Sequence, residues 1–359
     1  MAAGQADPQY AAYLEEGNDP GGIDVGFLVK TPKVTVVDVT QVGKDATYIN
    51  PLTSLPEMLN DRPPLVLRAR IQPPAGPALP VTVIVNHLRS LGGIDDPVDG
   101  ARVRAKRAAQ AEFLANLIQE HQEAGERVIS VGDYNATQFN DGYVDVLGTV
   151  KGSPAPADEV LVPTSMLVSP TLTDLLDLAP ADQRYSYVFD GNAEALDHIL
   201  VTRNLLPHVN GLHHARDNAD FPESYFNDPT RPERFSDHDI PVAYIQIPAV
   251  FSAVSASPPV LWPANHKMVP VTVNYNLQNV CTADPVTANL SVSSNEPVNG
   301  LGDGDTAPDW IIVDAHHVKL RAERSGIGKG RVYTITITAT DGRGNASTQT
   351  VTVKVPHNK

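Results

Sequence analysis

The segment that most constrains the fold is VTVIVNHL, residues 81–88, a nearly continuous apolar run rich in β-branched residues. A strand with one solvent-exposed face alternates apolar and polar residues, whereas a strand buried on both faces is apolar throughout. The strongest helix pattern in the chain follows at residues 100–124, where an apolar stripe recurs at helical spacing. A buried strand followed by a helix that can cover it predicts packed α/β layers.

Other β-branched segments are predicted to be strands of the same layered domain. They are residues 22–30, 33–39, 65–71, 127–135, 198–201 and 240–247. Asp99 is expected to cap the helix and Gly125 to end it. Long irregular loops separate these segments, and we expect function at the loop ends.

The pattern changes after residue 249. Residues 250–262 are rich in Ser, Pro and Ala and are predicted to be a linker. Residues 263–359 contain short alternating strands such as VYTITITAT (332–340) and no helix pattern, which indicates a β-sandwich. We therefore predict two domains, residues 1–249 and 263–359, as the length of 359 residues also favours.

Composition limits the functional classes. The formal net charge of −15 repels polyanions, so a nucleic acid would need a local patch or bridging cations. The one cysteine, Cys281, excludes an internal disulfide framework and a cysteine-based zinc site. No apolar run approaches the roughly 20 residues of a membrane helix, and the first residues show no signal-peptide pattern.

Four polar clusters stand where predicted strands meet loops. They are NHL (86–88), GDYN (132–135), LDHI (196–199) and SDH (236–238). Carboxylate oxygens suit a hard cation such as Mg²⁺ or Mn²⁺. An imidazole titrates near neutrality and can activate water, and His and Asn can donate to phosphoryl oxygens. If the clusters converge at one sheet edge, the combination suits phosphate-ester cleavage.

In this order, VNHLRS, VGDYNA, LDHILV and SDHDIPV resemble the signature blocks of the endonuclease/exonuclease/phosphatase superfamily, which includes deoxyribonuclease I. The segments GGIDVGFLVK, YSYVFDG and NADFPESYFNDPTRPERFSDHD resemble its bacterial secreted-nuclease branch. The resemblance covers roughly residues 8–248. It implies a four-layer α/β sandwich, Mg²⁺- or Mn²⁺-dependent phosphodiester hydrolysis, DNA or RNA as substrate, and an extracellular location.

The resemblance also implies roles for single residues. Asp237 resembles the family's metal-binding or metal-orienting aspartate. Asp133 and Asn135 resemble the pair that orients the nucleophile or metal and holds a phosphate oxygen. His238 matches the histidine that activates water or contacts the phosphate, and Asp197 matches its carboxylate partner.

A second histidine of the family pattern is matched by His87, as a phosphate ligand or general acid. Other polar residues are expected to have ordinary roles. His198 is expected to pack locally, and His213 and His214 to be solvated. The basic run RVRAKR (102–107) is expected to form the solvent-facing side of the helix.

The sequence departs from the family pattern before GGIDVGFLVK. Family members begin with a strand carrying an Asn and reach a strand that ends in Gln-Glu, whose Glu is a principal metal ligand. Glu15 and Glu16 lie in a predicted loop and do not match it. We therefore expect a sheet that lacks its first strands, with an unpaired edge or an exposed apolar face. We also expect weakened metal binding and impaired turnover.

The C-terminal segments PVLWPANHKMVPVTV, SSNEPVNGLGDGDTAPDW and VKLRAERSGIGKGRVYTITITATDGRGNAS resemble an immunoglobulin-like module of bacterial secreted proteins. Such a module implies spacing, anchoring, or contact with a surface or glycan. Asp303, Asp305 and Asp309 share one loop, which is a candidate Ca²⁺ site by oxygen count or simply an acidic turn.

Three functions stay open at this point. The leading one is a metal-dependent secreted nuclease. The second is a phosphatase or phospholipid phosphodiesterase of the same fold. The third is a catalytically silent secreted protein that binds a partner through its C-terminal module.

Overall fold

The computed structural model describes residues 7–73, 78–246, 250–278, 286–298, 306–340 and 346–358. The chain forms two compact units, Met1–Gln72 with Ala78–Gln246, and Pro73–Pro77 with Ile247–Lys359. Each unit has its own hydrophobic core. None of the helices in these ranges is long and apolar enough to cross a membrane.

The first unit contains fourteen short strands and two α-helices among the described residues. The strands are β1 (Tyr10–Leu14), β2 (Gly26–Lys30), β3 (Val34–Gln41), β4 (Thr47–Ile49), β5 (Pro56–Met58), β6 (Leu65–Ile71), β7 (Leu79–His87), β8 (Val128–Asp133), β9 (Thr173–Asp174), β10 (Tyr187–Phe189), β11 (Asn192–Glu194), β12 (Asp197–Val201), β13 (Val209–Ala215) and β14 (Ile240–Ile245). The helices are α1 (Gly100–Glu123) and α2 (Val146–Lys151), with 3-10 turns at Leu175–Leu178, Ala181–Gln183, Leu206–His208 and Glu223–Tyr225.

A six-stranded sheet in the order β3-β6-β7-β8-β12-β9 is the centre of this unit. β7 and β8 run parallel, and the other neighbours are antiparallel. Val66, Ile84 and Leu200 of the sheet share one core with Leu114 and Ile118 of α1. β13 and β14 form a separate two-stranded sheet, and β14 contacts β12. The predicted α/β fold is confirmed, with its second sheet reduced to two strands in the described part of the chain.

α1 begins after Asp99 and ends before Gly125, as predicted. Gly125 has φ 75°, a left-handed conformation that glycine adopts without steric cost. The Asp99 carboxylate, however, makes no hydrogen bond to a helix N–H. It accepts from Arg102 Nε at 2.7 Å and Nη2 at 2.6 Å.

The prediction that residues 102–107 form a solvent-facing side is wrong for two of the basic residues. Lys106 is buried, and its Nζ donates to both carboxylate oxygens of Asp61 at 2.8 Å. Arg107 is buried as well, with 1% of its surface exposed. Buried charges are paired in folded proteins, and a local charge pattern does not reveal partners that are distant in sequence.

β14 leaves an apolar face exposed. Ile240, Val242 and Tyr244 alternate along the strand and are 51%, 37% and 48% exposed. Among the residues described, β14 pairs with β13 alone. β14 therefore has an exposed apolar face, and in the described part of the chain one of its edges has no strand beside it.

The second unit is a β-sandwich. Its strands are β15 (Val250–Ser257), β16 (Met268–Gln278), β17 (Thr287–Ser294), β18 (Trp310–Ile312), β19 (His317–Arg321), β20 (Gly330–Thr340) and β21 (Ala346–Pro356). They form two antiparallel sheets, β15-β16-β19-β18 and β17-β20-β21. Val271 and Val318 of the first sheet share a core with Tyr333, Ile335 and Val353 of the second. The predicted sandwich is confirmed, and its immunoglobulin-like identity stays a prediction.

The predicted linker at residues 250–262 begins instead with strand β15. β15 pairs with β16 through a register shift between Ser252 and Ser255. Ala256 is buried in the core, and Phe251 and Val254 pack against it. The Ser- and Ala-rich composition hid a strand whose apolar residues pack on the core of the second unit.

A group of buried charges joins the two sheets of the second unit. Arg331 Nη1 lies 2.6 Å from Asp309 Oδ2 and 3.5 Å from Glu323 Oε1, and all three side chains are fully buried. Asp303 and Asp305 lie outside the described residues, so the candidate Ca²⁺ site stays a prediction. The ion pair with Arg331 gives Asp309 a structural partner.

Removal of Arg331 should destabilise the second unit strongly. Arg331→Met leaves the buried Asp309 without its cation, and we expect the free energy of unfolding to fall by about 3–5 kcal/mol. The two tryptophans of the chain, Trp262 and Trp310, both lie in this unit. Urea unfolding followed by tryptophan fluorescence therefore reports this unit separately from the first.

The matched control is Lys319→Met, which changes an exposed basic residue on β19. Its unfolding free energy should stay within about 0.5 kcal/mol of the unmodified protein. Equal unfolding midpoints for the two variants would contradict the structural role of Arg331.

Candidate active site

Three strand ends meet in one row across the central sheet. His87 is the last residue of β7, Asp133 the last of β8, and Asp197 the first of β12. The strand register pairs His87 with Asp133 and Asp133 with Asp197. His87 Nε2 lies 3.3 Å from Asp133 Oδ2. The predicted convergence of these clusters is therefore present in the structure.

Gly132 allows the close approach of β7 and β8 beside this row. Its φ of 143° is in a region that side chains rarely adopt, and a Cβ there would lie 1.9 Å from the carbonyl oxygen of Asn86. Only glycine fits this position without moving the backbone of β7. The alignment of His87 with Asp133 depends on it.

Asn135 holds the carboxylate of Asp133. Its backbone N–H donates to Asp133 Oδ1 at 2.7 Å, and its Nδ2 donates to Asp133 Oδ2 at 3.0 Å and to the carbonyl of Leu88 at 3.0 Å. The buried Arg107 then donates from Nη1 to the carbonyls of Arg89 and Asn135, at 2.6 and 3.0 Å. Arg107 therefore ties the loop after β7 to the loop after β8.

His238 and Asp197 form a hydrogen-bonded dyad. His238 Nδ1 lies 2.6 Å from Asp197 Oδ2, and the same oxygen accepts the hydroxyl of Ser186 at 2.7 Å. Ser186 is fully buried, and its Oγ also accepts the backbone N–H groups of Leu196 and Asp197. Asp197 thus orients His238, and Ser186 orients Asp197.

The two aspartates beside His238 differ in their surroundings. Asp239 is buried, and it accepts the N–H groups of Asn218 and Ala219 and a 2.9 Å hydrogen bond from Arg216 Nη1. Asp237 is exposed on the other side of His238. Asp239 therefore fixes the turn, which leaves His238 free to pair with Asp197.

The two histidines of the site differ in the charge state that their surroundings favour. Burial, Arg62 and His238 lower the pKa of His87 to about 4, so this ring is neutral near neutral pH. Burial also disfavours charge on His238, but the hydrogen bond and charge of Asp197 outweigh it, and the pKa of His238 is raised. Opposed shifts within one site are typical of groups with different roles in proton transfer.

Asp133, Asp197 and His238 are the residues that could hold a metal ion. One ligand atom from each lies within 4.8 Å of the other two. Burial and the charge of Asp197 raise the pKa of Asp133 to about 6. A divalent cation between two carboxylates would remove this repulsion, and oxygen donors suit Mg²⁺ or Mn²⁺. The donor set therefore fits such an ion.

The structure brings His87, Asp133, Asn135, Asp197 and His238 together, as expected. Asp237 does not join the group of ligand atoms within 4.8 Å, and its metal-binding role stays a prediction. Among the described residues, the donor group contains no glutamate.

Three further histidines differ in how well the sequence predicted their surroundings. His198 is buried, with Nδ1 2.8 Å from Asp174 Oδ2 and Nε2 2.9 Å from the carbonyl of Ala136, so its local packing is confirmed. The solvated loop expected for His213 and His214 is instead strand β13. His213 is exposed, whereas both ring nitrogens of His214 are buried without a partner in the described part of the chain.

Sequence reasoning missed three residues of the site. Ser186 lies within YSYVFDG, and no local signal marks it as the partner of Asp197. Arg62 acts electrostatically on both His87 and Asp133, and its Nε is buried with no hydrogen-bond partner among the described residues. Tyr187 packs its ring against His238, with centroids 4.7 Å apart.

One comparison with known protein families matches most of the first unit. The model of the family described as "Endonuclease/Exonuclease/phosphatase family" matches residues 2–238, a range that includes every residue of the site. Among curated proteins there is no significant match.

Several solved structures are similar to this chain. The human Nocturnin catalytic domain with bound sulfate anion is 16% identical, with 66% of this chain and 71% of that chain covered and a TM-score of 0.38. The Xenopus laevis APE2 catalytic domain is 15% identical, with 67% and 78% covered and a TM-score of 0.41. An endonuclease/exonuclease/phosphatase from Beutenbergia cavernae is 13% identical, with 96% and 81% covered and a TM-score of 0.36.

The dyad makes a prediction for the protein in the absence of metal. Asp197→Asn removes the negative charge beside His238, so the pKa of the imidazole should fall. Side-chain ¹H–¹⁵N NMR in the presence of EDTA measures the titration midpoint of His238. Asp314→Asn, which alters the partner of His317 in the second unit, should leave this midpoint unchanged. An unchanged midpoint in Asp197→Asn would contradict the dyad.

Proposed function

Because the chain belongs to the endonuclease/exonuclease/phosphatase family, we propose that it is a metal-dependent hydrolase of phosphodiesters, with nucleic acid as its substrate. The observation that carries this proposal is the single site shared by His87, Asp133, Asp197 and His238. An extracellular location remains a prediction from the resemblance to secreted nucleases.

His238 is the proposed general base. Its Nδ1 is held by Asp197, so Nε2 is the ring atom left to accept a proton from the attacking water. Asp197 fixes this tautomer and stabilises the imidazolium that forms. The rate should therefore rise with pH through the raised pKa of His238, because the base must be neutral to act.

His87 and Asn135 receive narrower roles than the family resemblance implies. His87 is neutral near neutral pH, which favours a phosphate ligand over a general acid. Asn135 already donates from Nδ2 to Asp133 and to Leu88, which favours a positioning role for its side chain. Arg62 adds positive charge near His87 and Asp133.

Asp133 and Asp197 are the carboxylates that would hold the divalent cation, which when bound supplies Lewis-acid stabilisation of phosphoryl charge. Asp197 already accepts hydrogen bonds from Ser186 and His238. Two carboxylates, one of which already accepts two hydrogen bonds, give a hard cation few ligands. We therefore propose a Kd on the order of 1 mM. Weak metal binding is the proposed cause of impaired turnover.

The hydrolase proposal predicts Mg²⁺- or Mn²⁺-dependent nicking of supercoiled plasmid that EDTA abolishes. His238→Ala should lower the rate by roughly 10²- to 10⁴-fold, because the general base is lost. His213→Ala, at an exposed histidine of β13, is the matched control and should keep the rate. Equal rates for both variants would rule out His238 as the base.

Substrate class is decided by product analysis on the same preparation. Faster cleavage of DNA or RNA than of phosphomonoesters or phospholipids supports the nuclease. The reverse order would favour the phosphatase or phospholipid phosphodiesterase alternative, and inertness towards all of them would favour a binding protein.

The metal site predicts Mn²⁺ binding that electron paramagnetic resonance can titrate. Asp133→Asn should raise the Kd at least about tenfold, because one of two carboxylate ligands is lost. Asp220→Asn, an exposed aspartate outside the donor group, is the control. Asp237→Asn is also expected to raise the Kd, and an unchanged value would remove Asp237 from the ligand set.

A further inference from the structure

An aromatic row extends outward from the candidate active site. Tyr187 and Phe189 lie on the same side of strand β10, because residues two apart in a strand face the same way. Ser186, just before this strand, donates to Asp197, and Tyr185 precedes Ser186. The Tyr187 ring lies 4.7 Å from the His238 ring. The row therefore starts at the proposed general base.

Tyr187 and Phe189 have nearly parallel rings. Their centroids are 6.3 Å apart and their planes differ by 12°. Both lie on β10, which pairs with β11 in a short hairpin. Phe189 is 56% exposed, although it is a large apolar residue. These two rings form a partly exposed aromatic pair beside His238.

Tyr185 is already occupied, which limits the platform to the other two rings. Arg216 lies over its ring, with Cζ 3.6 Å from the centroid, and its hydroxyl donates to Asp220 at 2.9 Å. Arg216 also binds the buried Asp239 that fixes the His238 turn. Tyr185 is therefore engaged by Arg216 and Asp220, whereas Tyr187 and Phe189 are available to a substrate.

We propose that Tyr187 and Phe189 form a stacking platform for an unpaired nucleobase next to the scissile phosphate, so that the preferred substrate is single-stranded nucleic acid. This inference rests on the proposed function. Bases stack on aromatic side chains without regard to sequence because every base has a π-face. In a duplex these faces are covered by neighbouring bases, so the platform favours unpaired strands.

The parallel orientation of the two rings also favours a nucleobase over a lipid as the bound group. Parallel rings match a flat heterocycle, whereas an acyl chain needs an enclosed apolar groove. Stacking further supplies affinity that does not depend on charge. That matters for a protein of net charge −15 that acts on a polyanion.

The test compares a short single-stranded oligonucleotide with an oligonucleotide of equal length made of abasic residues. The unmodified protein should show a higher kcat/KM for the strand that carries bases. Tyr187→Ala and Phe189→Ala should each reduce this preference by roughly 5- to 150-fold, the range of one lost base–aromatic contact. Tyr187→Phe keeps the ring and should keep the preference.

Tyr244→Ala is the matched control, because Tyr244 is an exposed aromatic residue on β14 outside the row. It should retain the preference of the unmodified protein. Circular dichroism confirms that each variant is folded. A protein that cleaves both strands equally, or a preference that survives both alanine substitutions, would overturn the platform and leave the hydrolase proposal standing.

Binding supplies a readout that does not need turnover. Fluorescence anisotropy in EDTA measures the affinity for the same two strands. If neither strand is cleaved under any metal condition, the proposed function fails, and the platform is then decided by binding alone. Tighter binding of the base-carrying strand that Phe189→Ala abolishes supports it, and equal affinities for the two strands overturn it.

Discussion

The register between β7, β8 and β12 is the constraint on which the site depends. It places His87, Asp133 and Asp197 in one row where the parallel strands β7 and β8 end and the antiparallel strand β12 begins. A slip of one residue would turn a side chain to the opposite face of the sheet. Gly132 secures the register locally, because any side chain there would collide with the backbone of Asn86.

Buried charges hold the loops that leave this row. Arg107 donates to the carbonyls of Arg89 and Asn135. Asp239, next to His238, accepts the backbone N–H groups of Asn218 and Ala219 and so ties the His238 turn to the loop after β13. Such groups are costly to bury and are retained when each has partners. Here the partners are backbone groups of loops. The buried charges therefore fix the positions of loops and of the polar site residues on them.

The sequence was most informative where the signal is local. His87, Asp133 and Asp197 each stand at one end of an apolar strand. Apolar runs such as HILV and VTVIVNHL therefore predicted both the strand and the position of the polar residue at its end. The helix α1 and the alternation of Tyr333, Ile335 and Ile337 were predictable for the same reason.

The sequence was least informative where the partner is distant along the chain. Arg107 belongs to a basic run, and only the fold reveals the carbonyls that surround it. Ser186 lies eleven residues before Asp197, and nothing local marks their hydrogen bond. β15 was missed because its Ser and Ala residues resemble a linker, and its pairing with β16 joins residues more than ten positions apart.

The central claim is that these strand ends and the His238 turn build one cation and phosphate site. Anomalous X-ray diffraction from crystals soaked in Mn²⁺ tests it most directly. The account predicts an anomalous peak in contact with the carboxylates of Asp133 and Asp197. A well-occupied Mn²⁺ elsewhere in the first unit, with none between these two carboxylates, would contradict it.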